Sequence, residues 1–345
     1  MLHGGETYQL NIRYDFSVNT NPLGMPDGVR DALSLCAEDC ERYPDRLCTE
    51  LTEALAKAER VPAEQLLIGN GASELLVLAA LACAPKRVLL TAPSFLGYRH
   101  AAQAADAEIL WHPLRREENF SLTERILSDL EADIDLAILC TPANPVGNRI
   151  DAALLQRVID TCEARGIRLI VDECFLCFTE AEAESVRKLA AAHKQLLVLD
   201  AFTKRHAIPG VRLGYAVCGD KDFLDDMRRR QPEWSVSSVA QRAGLAALQT
   251  PASYLSETRA LLRKERGFLT KVLQDAHCRV FPGEANYIFF SSELPLFDRM
   301  LDAGILLRHC DNYEGLGADD YRMAIGTHEK NEVFAEALRK ICKGI

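Results

Sequence analysis

Leu196-Leu197-Val198-Leu199-Asp200-Ala201-Phe202-Thr203-Lys204 runs directly into Arg205-His206-Ala207-Ile208-Pro209-Gly210-Val211-Arg212-Leu213-Gly214. The apolar run Leu196 to Leu199 reads as a buried strand, and Leu213 to Val217 reads as another. Between them stand Lys204 and Arg212. A lysine alone in such a place is more often a surface cation than a reagent. Its meaning depends on what the other strand ends carry.

Upstream, the same layout recurs. Leu66-Leu67-Ile68 leads into Gly69-Asn70-Gly71, and Ser73 to Cys83 reads as a buried helix. Val88 to Thr91, Leu136 to Cys140 and Ile167 to Val171 are further strands, and a helix over 152–165 closes at Gly166. Short apolar runs alternating with helices imply an α/β fold built on a parallel sheet with crossover helices. Ligands of such sheets bind beyond the carboxyl ends of the strands. Those ends carry Gly71-Ala72-Ser73, Phe95, Asn144, Asp172 and Lys204.

From about residue 250 the texture changes. A charged amphipathic helix from roughly Pro251 to Ala276 leads into shorter strands, Tyr287 to Phe290 and Ile305 to Arg308, and a last helix from Lys330. The expected organisation is an arm over 1–30 that joins the small domain and the substrate site, a large domain over 31–245, and a small α+β domain over 246–345.

Composition narrows the class. Of 345 residues, 48% are hydrophobic and 26% charged, ordinary globular values. No apolar run approaches the ~20 residues needed to span a bilayer, and the first residues lack the basic and apolar stretches of a signal peptide, so a cytoplasmic protein is expected. Most of the twelve cysteines lie in apolar segments, where a reduced thiol behaves as a small hydrophobe. Cys174 and Cys177 form a lone C-x-x-C without a second pair, so no metal site is expected. A net charge of −10 argues against nucleic acid, and Arg228-Arg229-Arg230 reads as a solvated face.

Taken one at a time, the strand-end residues have bland readings: a turn at Gly71, a helix cap at Asp172, a core ring at Phe95. Together they meet the needs of pyridoxal 5′-phosphate (PLP). Lys204 supplies an amine for the imine link, and Asp172 an anion for the ring nitrogen. Asn144 and Arg212 are donors, Phe95 a flat partner, and Gly71-Ala72-Ser73 a helix start suited to phosphate. A lysine that forms an imine must shed its proton, and Arg212 is the neighbouring cation expected to lower its pKa.

The chain resembles fold-type I PLP enzymes of aminotransferase class I/II along nearly its whole length. The carrying motifs are Ala201-Phe202-Thr203-Lys204 with Gly210-Val211-Arg212-Leu213-Gly214, the loop Asn144-Pro145-Val146-Gly147, and Asp172-Glu173-Cys174-Phe175. The resemblance implies an aspartate-aminotransferase-like fold, with a large domain on a mainly parallel seven-stranded sheet and a smaller α+β domain. It makes Lys204 the PLP-linked lysine and Asp172 the pyridinium partner, both catalytic. Asn144 is then a donor to the ring oxygen, with Gly71, Ala72, Ser73, Thr203 and Arg212 around the cofactor. Tyr43, in Arg42-Tyr43-Pro44, matches a tyrosine that reaches the partner subunit's cofactor, which implies a homodimer with its active site at the subunit interface.

Within that family the segments His3-Gly4-Gly5, Asp15 to Gly24, Ala207 to Gly210 and Arg308 to Leu316 resemble threonine-phosphate decarboxylases of cobalamin synthesis, relatives of histidinol-phosphate aminotransferases. The resemblance implies that His3, Gly4, Asn19, Asn144, Arg308 and Arg322 contact a phospho-amino acid. Guanidinium forks suit both a carboxylate and a phosphate, with Arg322 expected on the carboxylate and Arg308, with His3, on the phosphate. The bland alternative pairs these arginines with Asp311, Asp319 or Asp320 on the surface.

Two departures bear on the cofactor. Ala201 stands where relatives carry Ser or Thr, a loss of one hydrogen bond worth about 1–3 kcal/mol. Asp200 replaces a usually basic residue and is expected to bring a negative charge near the phosphate. The expected activity is decarboxylation of O-phospho-L-threonine to (R)-1-aminopropan-2-yl phosphate. The alternatives are a histidinol-phosphate-type aminotransferase, a phosphoserine decarboxylase, or a non-catalytic PLP-fold protein. The last is disfavoured because the motifs begin almost at residue 1, which leaves no room for a preceding winged-helix domain.

Overall fold

All residues of Leu136–Cys140, Arg168–Asp172, Leu196–Ala201 and Gly214–Cys218 are buried. Near-continuous apolar runs of this kind belong to strands covered on both faces. The computed structural model describes residues 5, 10–131 and 133–344. His3 and Gly4 lie outside the described residues.

In chain order the strands are β1 (Tyr14–Asp15), β2 (Leu66–Gly69), β3 (Arg87–Ala92), β4 (Glu108–Pro113), β5 (Leu136–Cys140), β6 (Arg168–Asp172), β7 (Leu196–Ala201) and β8 (Gly214–Cys218). They continue with β9 (Arg279–Val280), β10 (Tyr287–Ser291), β11 (Ile305–Leu306), β12 (Arg308–His309) and β13 (Asp320–Ala324). Seven of them form one sheet in the order β2-β8-β7-β6-β5-β3-β4. β8 runs antiparallel to β2 and β7, and the remaining pairs are parallel. This is the mainly parallel, seven-stranded sheet of the expected fold.

The pleat sorts side chains to opposite faces. Leu196 and Val198 of β7 join the apolar cluster of Leu169 and Val171, whereas Leu197 and Leu199 join that of Ile170 and Ile138. Asp172 therefore faces the same side as Ile170, and Asp200 the side of Leu196 and Val198.

The second sheet, β12-β13-β10-β9, is antiparallel throughout. Helices Ala252–Asp275 and His328–Cys342 pack against it through Leu269, Leu273, Phe334 and Leu338, which share a core with Tyr287, Phe290 and Met323. β1 pairs in parallel with β11, so the segment leading to residue 15 is stitched to residues 305–306. No helix among the described residues is long and apolar enough to cross a membrane.

Candidate active site

The carboxyl ends of β5, β6 and β7 open into a cavity of about 720 Å³. Lys204, Asp172, Asn144, Phe95, Thr203 and Arg212 line it, as do Ala72 and Ser73. Asn19, Arg308 and Arg322 line the same cavity, so residues separated by three hundred positions share one space.

Lys204 sits on the single-turn helix Phe202–Arg205 directly after β7. Its carbonyl accepts from the Asn21 N–H at 3.0 Å, and Asn21 Nδ2 donates to the next carbonyl, that of Arg205, at 3.1 Å. Asn21 is buried and also bonds Thr258, so a residue from before the first helix clamps the lysine turn. No local pattern marks Asn21 for this role, since its partners are distant in sequence. The Lys204 amine makes no ion pair with any described residue. Burial, then the guanidinium of Arg322, then that of Arg212 lower its pKa to about 8, against the opposing pull of Cys174 and Asp172. The stronger cationic neighbour is thus Arg322 rather than the expected Arg212.

Asp172 is gripped on both oxygens. Oδ1 accepts from the Cys174 N–H at 3.0 Å, and Oδ2 accepts from the Tyr98 hydroxyl at 2.7 Å. Tyr98 was missed in the sequence, because a tyrosine inside an apolar helix reads as core. Its helix, Leu96–Ala104, begins next to Phe95, whose ring meets that of Tyr98 edge-on at 5.5 Å. Gly97 permits this placement, since a Cβ there would lie 2.3 Å from Phe95 Cε1.

Gly71 caps the helix Ala72–Cys83 with a φ of +83°, a conformation that favours glycine. A Cβ at this position would lie 2.5 Å from Arg212 Nη2, so the guanidinium is packed directly on the helix amino end. Arg212 is itself held in the left-handed region at φ +58°. Free N–H groups, a cation and the Ser73 hydroxyl converge here, which is the donor set that a phosphate needs.

Arg322, on β13, is buried and has only neutral partners among the described residues. Nη1 donates to Asn144 Oδ1 at 2.6 Å and Nη2 to the Ser17 carbonyl at 2.7 Å. With its amide oxygen turned toward the guanidinium, Asn19 accepts from Nε at 3.3 Å and from Nη1 at 3.1 Å. The surface pairing with Asp320 does not occur; Asp320 bonds Arg116 instead. A buried cation without a counter-ion is costly, and an incoming anion relieves that cost. Arg308, also buried, donates to Asn312 Oδ1 at 2.7 Å and lies 5.0 Å over the Tyr313 ring.

One expectation needs correction. Asp200 brings no charge to the phosphate end, because it lies on the opposite face of the sheet and is neutralised by Arg187 at 2.6 Å. That guanidinium also lies 3.6 Å from Glu173, whose carboxyl burial raises to about 7 despite the opposing pull of Arg187. Tyr43, expected to serve the partner subunit, does not line the cavity of its own chain. It is 79% exposed and stacks on Trp234 at 4.5 Å.

A model of the family described as aminotransferase class I and II matches residues 12–338. The chain belongs to this family. It is 39% identical to a threonine-phosphate decarboxylase of Salmonella typhimurium over 334 residues, 96% of this chain and 92% of the relative. It is 33% identical to a histidinol-phosphate aminotransferase of Symbiobacterium thermophilum over 328 residues, 93% of this chain and 88% of that one. The crystal structure of a histidinol-phosphate aminotransferase from Clostridium acetobutylicum superposes with a TM-score of 0.89 at 26% identity, covering 96% of this chain and all of that one. This class I and II family member is therefore a PLP-dependent enzyme, and the cavity fits the cofactor: a lysine amine of lowered pKa, a fixed carboxylate, a helix start with donors suited to phosphate and a flat ring.

Proposed function

We propose that the enzyme decarboxylates an O-phospho-amino acid, with O-phospho-L-threonine the foremost substrate and (R)-1-aminopropan-2-yl phosphate the product, in the service of corrinoid synthesis. The carrying observation is Arg322, a buried guanidinium with only neutral partners among the described residues, in one cavity with Arg308 and Lys204. Two guanidinium groups suit a substrate with two anionic ends. The 39% identity to a threonine-phosphate decarboxylase supports the same reading.

The roles follow from position. PLP, when held here, would supply an electron sink for the substrate's Cα. Lys204 anchors the cofactor and, once released, holds or returns a proton at Cα. Asp172 would pair with the ring nitrogen of PLP, and Phe95 would cover its ring. Asn144 accepts from Arg322 through its oxygen, which leaves its amide nitrogen to donate to a ligand oxygen. Gly71, Ala72, Ser73, Thr203 and Arg212 hold the phosphate end. Arg322 lies close enough to Lys204 to depress its pKa, so it meets the group borne on Cα, the carboxylate. Arg308, with Asn19 in the same cavity, takes the side-chain phosphate, a role His3 and Gly4 would share. By gripping the carboxylate, Arg322 selects which Cα bond stands perpendicular to the ring.

The same reading makes the enzyme a cytoplasmic homodimer that offers the exposed Tyr43 to its partner, and divides the chain at 30 and 245. A second reading, transamination of histidinol phosphate or a similar substrate, draws on the 33% relative and on a Lys204 poised to act as a base. Incubation with O-phospho-L-threonine and measurement of carbon dioxide decides between them. No carbon dioxide, with glutamate formed from 2-oxoglutarate and histidinol phosphate, overturns the decarboxylase.

A further inference from the structure

Asp172 stands at the end of β6 with two donors on it and the cavity in front. Both donors are neutral, a phenol and a backbone amide. A lysine, arginine or charged histidine in the same place would also fix the carboxylate, and would cancel its charge as well. A neutral donor fixes the orientation and leaves the whole negative charge for the group on the other side.

We propose that Tyr98 is a positioning residue that acts through Asp172: its hydroxyl locks the carboxylate in the rotamer that faces the cofactor ring nitrogen while leaving the negative charge intact. Three observations carry this. The Tyr98–Asp172 bond is buried and short, 2.7 Å, which fits a hydroxyl bound to a carboxylate. Tyr98 is 1% exposed, so the bond to Asp172 is made away from bulk solvent. Finally, Phe95 and Tyr98 lie one helical turn apart with their rings in edge contact, so the ring-facing residue and the carboxylate anchor move as one unit. Burial, reinforced by the charge of Asp172, also raises the phenol pKa well above its usual value, so Tyr98 stays a donor across the working range.

This proposal rests on the assignment of Asp172 to the ring nitrogen, and the test separates the two. The probes are PLP and its 1-deaza analogue, which carries a carbon in place of that nitrogen. Each is titrated into apoenzyme by absorbance and fluorescence, for the parent and for Tyr98→Phe. The parent is expected to prefer PLP. Tyr98→Phe is expected to weaken PLP binding roughly tenfold, the loss of one hydrogen bond to a charged group, and to change binding of the analogue less than twofold. Equal weakening of both ligands, or of neither, overturns the proposal, because a merely structural tyrosine would not sense the ring nitrogen. A parent that binds both equally removes the Asp172 assignment itself. If Tyr98→Phe does not fold, Tyr98→Leu gives the same comparison. Failure of both to fold also overturns the proposal, because the hydroxyl would then serve the fold rather than the carboxylate.

Discussion

Arg322 Nη1 donates to Asn144 Oδ1 at 2.6 Å, tying a strand of the second sheet to the loop after β5 in the first. One bond thus aligns the proposed carboxylate receptor with the proposed donor to the cofactor. Ser17 and Asn19, also neutral acceptors, take three more of the guanidinium's five N–H groups, and among the described residues one on Nη2 is left for an anion.

Arg322→Ala is expected to lower kcat/KM on O-phospho-L-threonine by two to three orders of magnitude, ~3–4 kcal/mol. Arg322→Lys should recover little, since a compact ammonium lacks the planar fork that reaches Asn144, Ser17 and a carboxylate in different directions. Steady-state kinetics beside a thermal melt check this. A lysine variant with parental kinetics would show that charge alone suffices.

Lys204 should set the pH dependence of cofactor capture. Its ammonium cannot attack an aldehyde, and its pKa is lowered to about 8, so the rate at which apoenzyme captures PLP should rise with pH and level off above about 8. Arg322→Ala removes a neighbouring cation and should move the midpoint to higher pH. Stopped-flow absorbance gives both midpoints. A parent midpoint near 10.5, the ordinary lysine value, would rule out burial as the cause.

Gly71→Ala combines a positive φ, costing ~1 kcal/mol, with a Cβ placed against Arg212. The expected result is PLP binding weakened by about tenfold or more, with the apoenzyme melting only a few degrees lower. Loss of melting temperature without loss of affinity would place the damage in the helix alone.

Glu173 gives a stability test of defined sign. Its folded pKa, about 7, is above the ordinary 4.5, so the folded state holds its proton more tightly than the unfolded one. The stability it contributes is full below pH 4.5 and is lost as pH rises through 7, a change on the order of a few kcal/mol. Glu173→Gln should flatten the fall in melting temperature between pH 5 and 8. An unchanged slope would assign the fall to other groups.

The strands β2, β3, β5, β6, β7 and β8 were legible because burial on both faces requires unbroken apolar runs. β4 was not: Glu108–Pro113 lies at the sheet edge, where half-exposed and exposed positions interleave and the run dissolves. Helix 152–165 was placed to the residue because its ends carry their own chemistry, Asp151 accepting from the Leu154 N–H and Gly166 at φ +70°. Lys204, Asp172 and Arg212 were legible as a constellation. Asp200 was misjudged because closeness along the chain says nothing about which face of a pleated strand a side chain takes. Tyr98 and Asn21 act through other residues, and their partners lie 74 and 184 positions away, beyond the reach of any local pattern.

The bond from Arg322 to the Ser17 carbonyl spans 305 positions. Loop closure over such a distance comes late in folding, since no local contact prepares it. The strands of the large sheet all lie within residues 66–218, whereas the anion receptor needs both the segment around Ser17 and β13 in place. Capture of a carboxylate would then act as a molecular certificate of completed assembly, granted only to chains whose distant segments have met.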